Sequence, residues 1–349
     1  MKQIYILTTL FLIGITNLNA QITDVVTGLI TPQGILLNGN DLYIAEVDGN
    51  KISKIDITAT SPTPIDVVTG LNGPRFLVLN GNDLYIAEDI GNKISKIDIT
   101  ATSPTPTDVV TGLNGPFGIL LNGNDLYITE PFSNKISKID ITETSPTPTD
   151  VITGLNGPTG LAINGNDLYI TELFGSKISK IDITSSSPTA VDVVTGLNLP
   201  HQLLLLGNDL YISETGANKI SKIDITATSP TPTNVATGLN GPTGLEIKGN
   251  DLYISDFFGN KISKLNLKPL SINENTLNKK VTLFPNPSAN LLQIVGLDKT
   301  EKYQIYSSIG QKISEGLISN NQKINIHNLM NGLYFLKFED GNTIRFIKE

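Results

Sequence analysis

Cysteine is absent from all 349 residues, so disulfides, thiolate metal sites, a thiol nucleophile and a lipid anchor on cysteine are excluded. Histidine is nearly absent too, with two in the chain and only His201 within the repeated region described below, which leaves little for imidazole chemistry. Positive charge is not in excess. With 33 acidic and 25 basic residues the chain carries a formal charge of −8, which argues against holding nucleic acid through its phosphates. Charged residues make up only 17% and hydrophobic ones 39%, a composition that folds rather than stays disordered. No window has a helical period, and no apolar run of membrane-spanning length follows Ala20.

The segment up to Ala20 has the order of a secretory signal: Lys2, an apolar stretch from Tyr5 to Ile15, then Asn17-Leu18-Asn19-Ala20 ahead of Gln21. The stretch is too short to cross ~30 Å of hydrocarbon as a helix. The expected segment is therefore 1–20, cut between Ala20 and Gln21.

What the chain has in abundance is repetition. Tyr43, Tyr85, Tyr127, Tyr169, Tyr211 and Tyr253 recur at one constant interval, without an insertion or deletion between them. A period of roughly 40 residues marks a repeat architecture. In the unit from Asp66 to Thr107, an apolar run over Arg75–Asn80 meets the turn signal Asn80-Gly81. Leu84–Ala87 follows as a second strand, and Ile94–Ile99 as a third after a short loop. The prolines of Ala101–Pro106 stop ladder pairing, and Asp108–Leu113 supplies a fourth strand. Four short antiparallel strands per unit make one blade of a β-propeller. The fourth-strand phrase first occurs at Asp24–Leu29, before any complete unit, and the last unit ends near Leu267 without one. A closed six-bladed ring, in which Val25–Leu29 pairs with Ile262–Leu267, resolves both ends. An open solenoid would need polar caps that are not present. Val25, Val26 and Leu29 are expected to be buried.

The phrases Pro-x-Gly-Ile, Gly-Asn-Asp-Leu-Tyr-Ile-Ala-Glu and Gly-Asn-Lys-Ile resemble the NHL repeat over residues 24–267, with Lys where that family often carries Arg. The resemblance implies strands running outward from a central channel, with the fourth-to-first and second-to-third loops on one face.

A feature present in every blade marks a unique site only on the axis. Glu46, Glu88, Glu130, Glu172, Glu214 and Asp256 end each second strand, and are expected to hold loop amides or Lys51 and its equivalents rather than a cation. Lys51 and Lys54 are expected to be solvated. The blades differ in two places. After the loop proline come Gln33, Arg75, Phe117, Thr159, His201 and Thr243. After the strand-end acid come Val47-Asp48, Asp89-Ile90, Pro131-Phe132, Leu173-Phe174, Thr215-Gly216 and Phe257-Phe258. Loops on a rigid scaffold carry binding residues, which makes Gln33, Arg75, Phe117, Phe132, Phe174, His201, Phe257 and Phe258 the candidate ligand contacts. The opposite, proline-rich loops are nearly copies of one another. Gluconolactonase-like relatives hold a divalent metal in the channel. Here Glu246 alone among the inner strands offers a carboxylate, and pairing with Lys248 explains it as well. The expectation is a binding protein for a protein or glycan, with no cofactor, no nucleic acid and a monomeric state; a metal-dependent hydrolase or lactonase is the alternative.

From about residue 270 the period vanishes. A polar stretch over 269–280 reads as a linker. Residues 281–349 show alternating runs typical of a small antiparallel sandwich. Phe284-Pro285-Asn286-Pro287 and the late Gly332-Leu333-Tyr334 strand resemble the C-terminal sorting domain of the type IX (Por) secretion system of Bacteroidota. That resemblance implies the secretion machinery as a partner, and release or surface attachment after export.

Overall fold

The computed structural model describes residues 22–267, 281–307, 312–338 and 343–349; the expected signal cleavage at Ala20–Gln21 and the linker over 269–280 lie outside them. The chain divides into two compact units, one ending at Leu267 and the other beginning at Lys268. Among the described residues there is no α-helix, and no helix long and apolar enough to cross a membrane.

The first unit is six four-stranded antiparallel sheets. Blade 1 runs through Pro32–Asn38, Asp41–Glu46, Lys51–Asp56 and Ile65–Thr69, and the next four repeat it in register. Gly39, Gly81, Gly123, Gly165, Gly207 and Gly249 make the tight first hairpins, each with the positive φ that such a turn requires. Neighbouring blades contact one another chiefly through their first strands, which puts those strands around the axis.

Blade 6 is completed from the other end of the repeats. Thr23–Thr27 pairs antiparallel with Lys261–Asn266, Val26 lying opposite Ile262 and Thr23 opposite Lys264. Val26 and Leu29 are buried with Tyr253 and Ile262 of blade 6 and with Ile35, Leu42 and Ile44 of blade 1. Val25 is only half-buried: it is the extra residue where the pairing shifts between Asp24 and Val26, and it packs at the rim of the same cluster. Equivalent apolar clusters fill the other blade junctions, so the core is a wheel of inter-blade layers rather than one centre.

Polar groups tie the blades as regularly. The Oε2 atom of Glu46 accepts the amide N–H of Ile30 at 2.7 Å, and Oε1 accepts the hydroxyl of Ser53 at 2.6 Å. Glu88, Glu130 and Glu214 repeat the arrangement on the loops at Asn72, Asn114 and Asn198. The acids thus hold loop amides at the roots of the loop face. Asp256 keeps the amide of Asn240 at 2.5 Å but leaves the buried Ser263 hydroxyl without a partner, as the full-length Glu172 leaves Ser179 while it holds the Asn156 amide at 2.8 Å. The lysines are not free. Lys51 lies 2.6 Å from Asp66 and Lys54 2.7 Å from Asp41, because the third strand runs between acids of its two neighbours. Partly exposed pairs of this kind stabilise little individually.

The second unit has a three-stranded sheet (Thr282–Phe284, Leu291–Val295, Lys323–Asn325) and a four-stranded one (Lys312–Ile318, Glu301–Ser307, Gly332–Phe338, Thr343–Lys348). Leu292, Ile294, Ile305, Leu336 and Phe346 pack between them, and Tyr334 stacks on Phe346 at 5.6 Å. Asn286, from the Pro-Asn-Pro motif, closes one side: its amide donates to the Arg345 carbonyl at 3.1 Å and its oxygen accepts from the Ile347 N–H at 2.9 Å. Phe284 and Leu333 remain exposed.

Candidate binding face

In five blades the residue after the loop proline lies at the start of an inner strand. In the third, Phe117 lies just ahead of Ile119–Asn122, its N–H donating to the Thr129 carbonyl at 2.9 Å, so these side chains meet at one end of the inner strands. Four of the candidates form one connected cluster there. Arg75 donates through Nη1 to Gln33 Oε1 at 2.7 Å and through Nε to Asp89 Oδ2 at 2.5 Å. Gln33, with its oxygen committed to Arg75, directs its amide nitrogen at His201 Nε2, 3.0 Å away. That nitrogen must therefore accept, and the proton of the neutral imidazole sits on Nδ1, which is buried and has no partner. Phe117 lies 5.0 Å from the His201 ring and 5.1 Å beneath the Arg75 guanidinium. Burial, assisted by the Arg75 charge, lowers the His201 pKa to about 3, so the ring is neutral at physiological pH.

Two members of this cluster are not among the candidates that the repeats single out: Phe76, and Asp89 as the partner of Arg75. Phe76 packs against Phe117 at 5.7 Å and His201 at 5.9 Å. It stands where blades 1, 3, 4 and 6 have Gly34, Gly118, Gly160 and Gly244. At those glycines a side chain would collide with the backbone of the next blade, as at Gly118, where a Cβ would lie 1.9 Å from the Thr159 carbonyl oxygen. A break in the Pro-x-Gly phrase was the visible sign.

The loop aromatics do not join the cluster. Phe132, Phe174 and Phe258 are each 60% exposed or more, one per blade, at the tips of the second-to-third loops. Each lies over a glycine of the fourth-to-first loop that precedes it in the chain: Phe132 on Gly115, Phe174 on Gly157, Phe258 on Gly241, with Ile90 on Gly73 in the same way. In blade 5 the sizes are exchanged, Leu199 covering Gly216. In blade 1 the Thr31 hydroxyl accepts the Asp48 N–H at 2.9 Å instead. Leu199 and Thr31 hold the positive φ that glycine holds in the other blades, a conformation that costs a side-chain-bearing residue energy. Phe257 is half-buried and meets Phe258 edge-on at 5.1 Å. Every blade thus raises one exposed apolar side chain on this face: Ile30, Ile90, Phe132, Phe174, Leu199 and Phe258.

Glu246 lies apart from all of these. Burial raises its pKa to about 7, against the lowering effect of backbone N–H groups from Leu37 and Ile247. It does not pair with Lys248, whose ammonium reaches instead to the Gly39 carbonyl at 2.7 Å and the Asn40 side chain in the neighbouring blade. The long lysine stem extends to the adjacent hairpin, while the shorter carboxyl turns to the unpaired edge of the next inner strand. Among the described residues no three carboxylates or imidazoles converge into a group that could hold a metal ion.

Comparison with known proteins follows the same division of the chain. Residues 282–349 match the secretion system C-terminal sorting domain. No curated protein matches the chain significantly. The propeller is similar in fold to virginiamycin B lyase from Staphylococcus aureus (21% identity, TM-score 0.53, covering 71% of this chain and 99% of that one). It is also similar to a gluconolactonase from Xanthomonas campestris (13%, 0.60, 71% and 90%) and to an auxiliary nutrient binding protein from Bacteroides ovatus (13%, 0.60, 71% and 76%). At these identities the likeness is one of fold alone. A sorting domain of this kind directs its chain through the type IX machinery to the cell surface or beyond. The protein is a six-bladed β-propeller carrying a secretion system C-terminal sorting domain.

Proposed function

We propose that this is a non-catalytic binding propeller, exported by the type IX system and recognising a protein or glycan outside the cell through its loop face. The observation that carries the reading is the ring of apolar tips, one from every blade, standing around a mouth filled by Arg75, Phe117 and His201. Large apolar side chains left exposed on a rigid rim are an unfavourable arrangement for a surface with nothing to bind. Next to the copied proline-rich loops only Ile65 and Val191 are large exposed apolar side chains among the described residues, in two blades rather than in all six. An N-terminal signal that is cut after Ala20, and a monomeric state, belong to the same reading.

The absence of cysteine gives a direct test, since one introduced thiol labels one place. A photo-crosslinker on Phe174→Cys should capture extracellular material from the producing culture, and the same group on Thr105→Cys, on the opposite face, should not. Capture from position 105 alone would place recognition on the wrong face.

A further inference from the structure

The six fourth-to-first loops, from Gly28–Thr31 to Gly238–Gly241, contain no charged residue at all. The six second-to-third loops contain two, Asp48 and Asp89. Asp89 is neutralised by Arg75, which leaves Asp48 as the single unpaired charge of these loops. The chain as a whole carries −8, so the excess charge lies elsewhere. On the opposite face each of five blades carries an aspartate (Asp56, Asp98, Asp140, Asp182, Asp224), each held by a threonine two residues on. At the centre of the loop face, burial keeps the one histidine uncharged.

What replaces charge is of two kinds. One is the ring of apolar tips. The other is the carboxamide: Asn72, Asn114, Asn156, Asn198 and Asn240 are exposed at the same loop position in five blades. In the middle lies the half-buried Phe117, packed against the buried, neutral His201 ring. Aromatic and apolar faces take the C–H surface of a sugar ring, and amides take its hydroxyl and ring oxygens. An ionic partner would gain nothing here, because a surface without opposite charge cannot compensate the loss of its hydration. A neutral partner with alternating apolar and hydroxyl surface matches every group present.

We infer that the ligand of the loop face is a neutral polysaccharide, lying across the apolar tips and asparagines. The inference rests on the proposed binding function and narrows it to one ligand class.

Affinity electrophoresis of the exported protein tests it, in native gels containing dextran, soluble starch, xylan or laminarin, beside gels containing alginate or polygalacturonate. At least one neutral polymer should retard the protein, equally at low salt and at about 0.5 M salt, where surface ion pairing is largely screened. The variant Phe132→Ala/Phe174→Ala/Phe258→Ala, confirmed folded by an unchanged far-ultraviolet spectrum, should migrate unretarded. Free mobility in all four neutral gels, or retardation by the anionic polymers alone, would overturn the inference. Were the Phe174→Cys crosslinker then to capture a protein, loop-face binding would stand without the glycan assignment.

Discussion

Glu246, half-buried, and His201, buried, are ionisable groups whose effects on stability have opposite sign. The pKa of Glu246 rises from 4.5 to about 7, so the folded state holds its proton more tightly than the unfolded chain does. Stability from this group is greatest below pH 4.5 and is lost as pH rises to about 7. The pKa of His201 falls from 6.5 to about 3, so the unfolded chain takes the proton first, and stability rises with pH between about 3 and 6.5. Between pH 4.5 and 6.5 the two contributions offset one another. Glu246→Gln removes one of them while keeping an acceptor for the Leu37 N–H. Across that window its unfolding free energy should climb relative to wild type by about 1 kcal/mol per pH unit, read from urea midpoints; parallel curves would contradict the assignment. Asp256 makes a second prediction. Asp256→Glu should reach the unpartnered Ser263 hydroxyl as Glu46 reaches Ser53, stabilising by about 0.5–1.5 kcal/mol. A loss of stability in thermal melts would mean that blade 6 has no room for the longer acid. At this scale the sequence shows the odd residue but not its partner. Glu246 stands out as a break in an apolar copy, whereas Lys248 turning to Gly39 depends on how the neighbouring hairpin is placed.

Among the strands, the decisive one is the first. Thr23–Thr27 covers the outer edge of Lys261–Asn266 and seats Val26 and Leu29 in the layer between blades 6 and 1. Burial of each side chain stabilises by roughly 1.5–3 kcal/mol, and an exposed strand edge replaces the lost pairing. Against a typical net stability of about 5–15 kcal/mol, a chain beginning at Ile35 should lose cooperative unfolding, or melt far below one beginning at Gln21. Equal melting temperatures would refute the closure. The register of this strand was legible, because the valine phrase repeats at a fixed interval and was one copy short at the far end. Hydroxyls reinforce the same junctions: Thr129 donates to the Thr159 carbonyl at 3.0 Å, Thr171 to that of His201 at 3.1 Å, and Ser255 to that of Gln33 across the closure. Ala45 and Ala87 hold the corresponding places in blades 1 and 2, and at the first of these junctions the Arg75–Gln33 bond provides a side-chain link instead. That substitution could not be seen in one repeat at a time, since the hydroxyl and its acceptor belong to different blades. The exchange of large and small residues between Phe132 and Gly115, or Gly216 and Leu199, was present in the sequence at constant spacing. It becomes meaningful only once the two loops are known to touch.

Taken whole, the chain separates the sorting domain from the propeller, for which binding is proposed. The sorting domain has its own core between two sheets, and the propeller's apolar layers close upon themselves. Removing residues 281–349 should therefore leave a folded propeller that a type IX host retains inside its outer membrane. Normal extracellular amounts of the truncated protein would contradict the export route. Recognition, on this account, belongs to the face where the blades differ. Its most direct test uses the exported protein, added back to cells of the producing organism that lack it, with the bound fraction measured against protein concentration. Aromatic anchors commonly contribute about 2 kcal/mol or more each. Phe174→Ala with Phe258→Ala should accordingly weaken adsorption at least about tenfold, with little change in melting temperature, and Pro104→Ala with Pro106→Ala should leave adsorption unchanged. Loss of adsorption in the proline variant, with the phenylalanine variant binding normally, would show that the copied loops and not the variable face carry the function.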